Sequence, residues 1–171
     1  GGDPTERTDN EVSNTSTSTV DIPRGAIESK EVFALNGDTD PPDDVVIAAG
    51  DTVTFQIIYN APLAAFEDFR IEDNLPQLVF DATEIDEMTA WDDDPDNRND
   101  PPPPGTAYFG SSTSAFLTDI VPDIEVDGPN NGITFDFGEF TEPTPTEATI
   151  EILFTVTEED PNFAPELYLT N

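Results

Sequence analysis

The sequence predicts an all-β, Ig-like antiparallel β-sandwich with a long acidic, proline-rich loop insertion. Three observations predict it. Apolar residues recur with period two over several separate runs, Gly, Pro and Asn turn signals divide those runs, and no window of useful length carries a 3.6-residue period. The chain has 171 residues, enough for one medium domain with its own core. Its 12 Phe and 17 Pro fit packed sheets joined by stiff loops better than disorder.

Residues 1–25 read as an N-terminal linker that includes an exchange strand. Within it, Glu11 to Val20 has strand propensity but almost no apolar face of its own. The sandwich is expected over 26–171. Its first strand is Ile27 to Leu35, with Lys30 in the middle. Alternation leaves the orientation of Lys30 open: its face holds Val32 and Ala34, the opposite face Ile27, Phe33 and Leu35. Val53, Phe55, Ile57 and Tyr59 alternate with Thr52, Thr54 and Gln56, so the polar set is expected to point outward. Phe69, Ile71 and Asp73 share one face of the next strand. Ile133, Phe135 and Phe137 define another, and Ala148, Ile150, Ile152, Phe154 and Val156 a longer one. Leu167, Leu169 and Asn171 share a face of a closing strand. Turns are expected at Asn36-Gly37-Asp38, Ala49-Gly50-Asp51 and Asn130-Asn131-Gly132. The stretch from about Asp92 to Ser114 is long for a sandwich loop and reads as an insertion. The expected core is Val53, Phe55, Ile57, Phe69, Ile71, Phe135, Ile150, Ile152 and Phe154.

Composition narrows function. The chain has 38 acidic residues, five basic ones and no histidine or cysteine. Disulfides, thiol catalysis and Cys- or His-based zinc sites are excluded. The net charge of −33 would repel nucleic acid and anionic lipid. No stretch is apolar enough for a membrane-spanning helix. The chain starts Gly-Gly-Asp, which reads as a processed chain or an excerpt of a longer one. Nothing marks an enzyme. Two readings of the acidity coexist, a saline habitat and divalent-cation binding. For the second, two loops crowd carboxylates that would suit Ca²⁺. One carries Asp38, Asp40, Asp43 and Asp44, the other Asp92, Asp93, Asp94 and Asp96.

The strand motifs resemble a known family. Gly50-Asp51-Thr52-Val53-Thr54-Phe55-Gln56-Ile57, then Asp73-Asn74-Leu75-Pro76-Gln77-Leu78-Val79-Phe80, resemble the "G-D-x-V-x-Y-x-I … D-x-L-P-x-G-L-x-F" signature of DUF11-type surface repeats, which are related to isopeptide-forming D2 domains of fimbrial proteins. Gly132 to Phe140, Thr149 to Thr157 and the closing Leu169-Thr170-Asn171 continue the likeness, which covers roughly Ile27 to Asn171. Gln77 departs from the family glycine, and the acidic insertion is a second departure.

The resemblance implies an isopeptide cross-link between a first-strand lysine and a last-strand asparagine, here Lys30 and Asn171. The assisting carboxylate would fall on Asp73. A lysine attacks only as the neutral amine, which burial favours, and a buried carboxyl holds a proton more readily. Lys30 is the sole lysine of the chain. Asn14 is the second-choice partner, because Asn14 to Val20 resembles the segment following "L-T-N" in such repeats. The expected function is therefore a structural module of an extracellular, cell-surface protein or filament. It would assemble with copies of itself or adjacent repeats, by strand exchange or in tandem. The alternative is a Ca²⁺-dependent adhesive module, in which Trp91 beside the second acidic loop would stack on a sugar or dock a protein.

Overall fold

The computed structural model describes residues 26–42, 44–61, 66–76, 79–90, 100–111, 122–140 and 148–159. Among the described residues, eight strands form two packed sheets. They are β1 (Ala26–Leu35), β2 (Thr52–Ala61), β3 (Phe66–Asn74), β4 (Glu87–Ala90), β5 (Thr106–Ser111), β6 (Asp123–Asp127), β7 (Gly132–Phe140) and β8 (Ala148–Thr157). One sheet has the order β1-β2-β8-β5-β4, the other β3-β7-β6. Only two single-turn 3-10 helices, Ala82–Glu84 and Gly128–Asn130, accompany them among the described residues. The expected all-β sandwich is the fold of the chain. Among the described strands all pairings are antiparallel except β4 with β5, which is parallel. Alternation in a short edge strand carries no signal of pairing direction.

The first turn follows its sequence. Asn36 and Gly37 both have positive φ, 51° and 82°. Leu35 and Asp38 exchange backbone hydrogen bonds of 3.0 and 2.9 Å across them. This is an Asn-Gly turn that reverses the chain at the end of β1, closed by an isolated bridge between Leu35 and Asp38 rather than by a second strand.

The core fills the space between the sheets. Val53, Ile57, Ile71, Phe135, Ile150, Ile152 and Phe154 are buried there, and Phe69 is partly buried against it. An aromatic chain links the two sheets: Tyr59 to Phe69 at 5.0 Å, Phe69 to Phe137 at 4.9 Å, and Phe137 to Phe109 at 5.4 Å between ring centroids. Offset and tilted contacts of this kind add to area burial.

Two expectations need correction. The stretch assigned to the insertion contains strand β5, whose Ala107 and Phe109 are fully buried opposite Phe154 and Ile152. Its Ser/Gly-rich flanks hide a short alternating run, Ala107-Tyr108-Phe109, inside a polar context. Secondly, Thr54 and Gln56 of β2 do not face solvent. Thr54, Gln56 and Thr155 are buried, as is Leu153 on the same outer face of the five-stranded sheet. They satisfy one another: Thr54 Oγ1 lies 2.7 Å from Thr155 Oγ1, and Gln56 Nε2 donates to Glu151 Oε1. β2 and β8 occupy interior positions of the five-stranded sheet, and over this stretch they are covered on both faces. Buried polar side chains survive there because they are paired.

Candidate cross-link site

Register decides where Lys30 points. β1 pairs with β2 through two register shifts, one between Ile27 and Ser29 and one between Val32 and Ala34. The resulting partners are Ile27 with Tyr59, Lys30 with Ile57, Val32 with Phe55 and Leu35 with Val53. Directly opposed residues share a face, and Val53, Phe55 and Ile57 face the core. The two shifts therefore bring Ile27, Lys30, Val32 and Leu35 onto one face, although their spacing in sequence mixes odd and even positions. The sole lysine points into the sandwich.

Asp73 meets it from the other sheet. Asp73 lies on β3 opposite Ile133, two residues from Ile71, which is opposite Phe135. Its carboxylate therefore faces the same interior. Lys30 Nζ donates to Asp73 Oδ1 at 2.7 Å, with 19% of the lysine side chain and 8% of the aspartate side chain exposed. The ammonium also sits 5.0 Å from the centroid of the Phe55 ring, a cation–π distance. The pair thus bridges the two sheets through apolar surroundings. A buried charge pair holds only where its geometry is good, because desolvation of each charge costs several kcal/mol. Asp73 Oδ2 is buried and accepts no hydrogen bond among the described residues. One half of this carboxylate is engaged by the amine, and the other half is open to a donor.

The loop after Asp73 is locked by one side chain. Asn131 is buried, has φ 55°, and follows the 3-10 turn Gly128–Asn130. Its Oδ1 accepts from Ala82 N–H at 2.7 Å. Its Nδ2 donates to Leu75 O at 3.2 Å and Phe80 O at 2.8 Å. Its own carbonyl accepts from Leu75 N–H at 2.9 Å. From its sequence context Asn131 reads only as a turn residue. The signal available was its Asn-Gly context, which marks positive φ but not a buried hub.

The remaining sequence-derived candidates are distributed as follows. Asn171 and Asn14 lie outside the described residues, as do Asp43, Asp92, Asp93, Asp94, Asp96 and Trp91. Asp38, Asp40 and Asp44 are exposed, and Asp38 Oδ1 accepts from Asp40 N–H at 3.1 Å. Among the described residues no group of three or more carboxylates converges to hold a metal ion.

In the same 3-10 turn as Ala82, whose amide bonds Asn131, Glu84 Oε2 accepts from Thr157 N–H at 3.0 Å. Burial, first, and then the neighbouring Glu159 and Asp81 push the Glu84 carboxyl above its ordinary range, against the lowering effect of the Thr157 amide.

No protein-family model matches the chain, and neither a curated protein nor a solved structure matches it.

Proposed function

We propose that this chain is a structural module of an extracellular surface protein or filament, of the DUF11-like, isopeptide-forming kind, whose sandwich is closed by a bond between Lys30 and Asn171. The observation that carries the reading is the part-buried Lys30–Asp73 pair between the sheets, with one carboxylate oxygen on the amine and the other, buried, without a donor among the described residues. A purely electrostatic role would leave a half-satisfied carboxylate in the core, a costly arrangement. A role in amide exchange uses both oxygens.

In this chemistry Asp73 takes one proton from the Lys30 ammonium. The neutral amine attacks Cγ of Asn171, and the protonated Asp73 donates a hydrogen bond through its second oxygen to the amide carbonyl. The Nζ–Cγ bond forms as the bond from Cγ to the amide nitrogen breaks. The second amine proton leaves with that nitrogen as ammonia, and Asp73 returns its own proton to the released ammonia or to solvent. The fold contributes proximity, which is worth about 7–11 kcal/mol of barrier for well-oriented groups. A cross-link between the first and last strands would suit a load-bearing module, because pulling on the ends would meet a covalent bond. The strand motifs support the surface location, and copies of the chain or adjacent repeats are its partners in this reading.

The test is the intact mass of the folded, then denatured, full chain. The expected mass is lower than the sequence by one ammonia, and it returns to the full value in Lys30→Arg and Asp73→Ala. Loss of one water instead would make Asp73 itself the acyl group and remove Asn171 from the reaction. A mass equal to the sequence rejects the cross-link.

A further inference from the structure

We infer that Asn131 is the positioning residue of the Lys30–Asp73 site, holding the carboxylate and the aromatic platform under the amine in one rigid unit. The inference rests on the cross-link reading for its chemical consequence, but its geometric content stands apart from it.

Asn131 reaches both sides of the pair. On the carboxylate side it bonds the backbone of Leu75 twice, through Nδ2 to the carbonyl and through its own carbonyl to the amide. Leu75 is two residues beyond Asp73, and Gly132, next to Asn131, pairs with Asn74 in the β3–β7 ladder. The chain just beyond Asp73 is therefore fixed to the start of β7. On the amine side, Asn131 Nδ2 holds the Phe80 carbonyl. The Phe80 ring packs edge-on against Phe55 at 5.6 Å, and the Phe55 ring lies beneath Lys30 Nζ. A carboxylate with a buried oxygen lacking a donor among the described residues needs such support, because the loop would otherwise relax to let water in. No other amino acid offers one acceptor and two donors at this length while tolerating positive φ.

Two arms test it. In the first, freshly folded chains are followed by intact mass as ammonia is lost. Asn131→Ala is expected to slow amide formation about 10- to 100-fold under conditions where it is fully folded, as a misplacement of roughly 1 Å would. Ile150→Val, a core variant on β8 with β2 between it and β1, serves as the control for lost stability and is expected to react at the wild-type rate.

The second arm does not need the cross-link. In an Asn171→Ala background the amine of the sole lysine is acylated with an amine-reactive ester, and the site is read by peptide mapping. Asn131→Ala is expected to label Lys30 several-fold faster than its parent, and Ile150→Val to label it at the parental rate. Parental labelling in Asn131→Ala, or equal acceleration in Ile150→Val, overturns the positioning role. If the wild-type chain never loses ammonia, the proposed function fails, and the labelling arm alone decides the role of Asn131.

Discussion

Removing one partner or both from the Lys30–Asp73 pair separates an ion pair from a cross-link. Asp73→Leu alone leaves a largely buried ammonium against Phe55, with no carboxylate at 2.7 Å. Breaking a buried pair in this way costs about 3–5 kcal/mol. The double variant Lys30→Met/Asp73→Leu removes both charges at nearly constant volume. If the pair were only electrostatic, the double variant would be as stable as wild type, or more stable by about 1–4 kcal/mol. A cross-link from residue 30 to residue 171 changes that expectation. It closes a loop of about 140 residues, and in the chain-entropy treatment developed for disulfides this contributes about 5 kcal/mol through the unfolded state. The double variant then falls below wild type by roughly 1–5 kcal/mol, the loop contribution less whatever the apolar pair recovers. The assay is guanidinium unfolding followed by fluorescence, at fixed high salt so that surface repulsion is constant across the series. A second signature is independent of ΔG: a cross-linked unfolded state exposes less surface, so the wild-type slope m is smaller than that of the double variant. A double variant at least as stable as wild type, with the same m, would refute the reasoning.

Glu84 carries a pH dependence whose sign follows from its raised carboxyl. The fold binds that proton more tightly than the unfolded chain, so its stabilising contribution is full below the ordinary value of 4.5 and is lost as pH rises through the higher folded value. Glu84→Gln, which keeps an acceptor for Thr157 N–H, should therefore melt higher than wild type at neutral pH and lose that advantage on acidification. The Thr54–Thr155 hydroxyl pair should show the asymmetry of buried hydrogen bonds: either single Val variant costs about 1–3 kcal/mol, and the double Val variant costs much less than their sum. If the acidic loops take calcium, millimolar Ca²⁺ at constant ionic strength raises the melting temperature over chelator, and Asp92→Asn/Asp94→Asn abolishes the rise.

How far the site was legible depended on how each residue announces itself. Asp73 was readable because a carboxylate that shares a face with Ile71 in an alternating strand has to be paired. Lys30 was readable as a sole lysine but not as an inward one, because the two register shifts that turn it inward are set by pairing with β2 and leave no mark in alternation. Asn131 was legible as a turn and illegible as a hub, since its partners, Leu75, Phe80 and Ala82, are about 50 residues away. The same limit applies to the fold. Long alternating runs gave β1, β2, β3, β7 and β8. The short strands β4, β5 and β6 lack the length for periodicity to register, and β6 reads as alternating acids with only Ile124 and Val126 between them. The burial of Thr54 and Gln56 on the outer face of β2 leaves no mark in the sequence, because period two says which residues share a face, not whether that face meets water.

The register shifts themselves can be tested, and they make a sharper demand than any substitution. Glu28 lies between Ile27, opposite Tyr59, and Ser29, opposite Ile58, so it is the extra residue of the first shift. Deleting it leaves Ile27 and Lys30 opposite the same partners in a regular ladder. Lys30 should stay inward, and the ester-labelling rate of its amine in an Asn171→Ala background should stay at the parental value. Glu31 lies outside both shifts, paired with Gln56 between Lys30 at Ile57 and Val32 at Phe55. Deleting it forces either Lys30 or Val32 to the outer face, since a slip of one residue exchanges the faces. The apolar side chain keeps the core, because exposing Val32 and leaving the lysine buried loses on both counts. The amine then moves to the outer face, away from Asp73. Deletion of Glu31 should accelerate labelling sharply and leave a carboxylate without its amine, whereas deletion of Glu28 should do neither. Equal behaviour of the two deletions would mean that the register shifts do not orient Lys30.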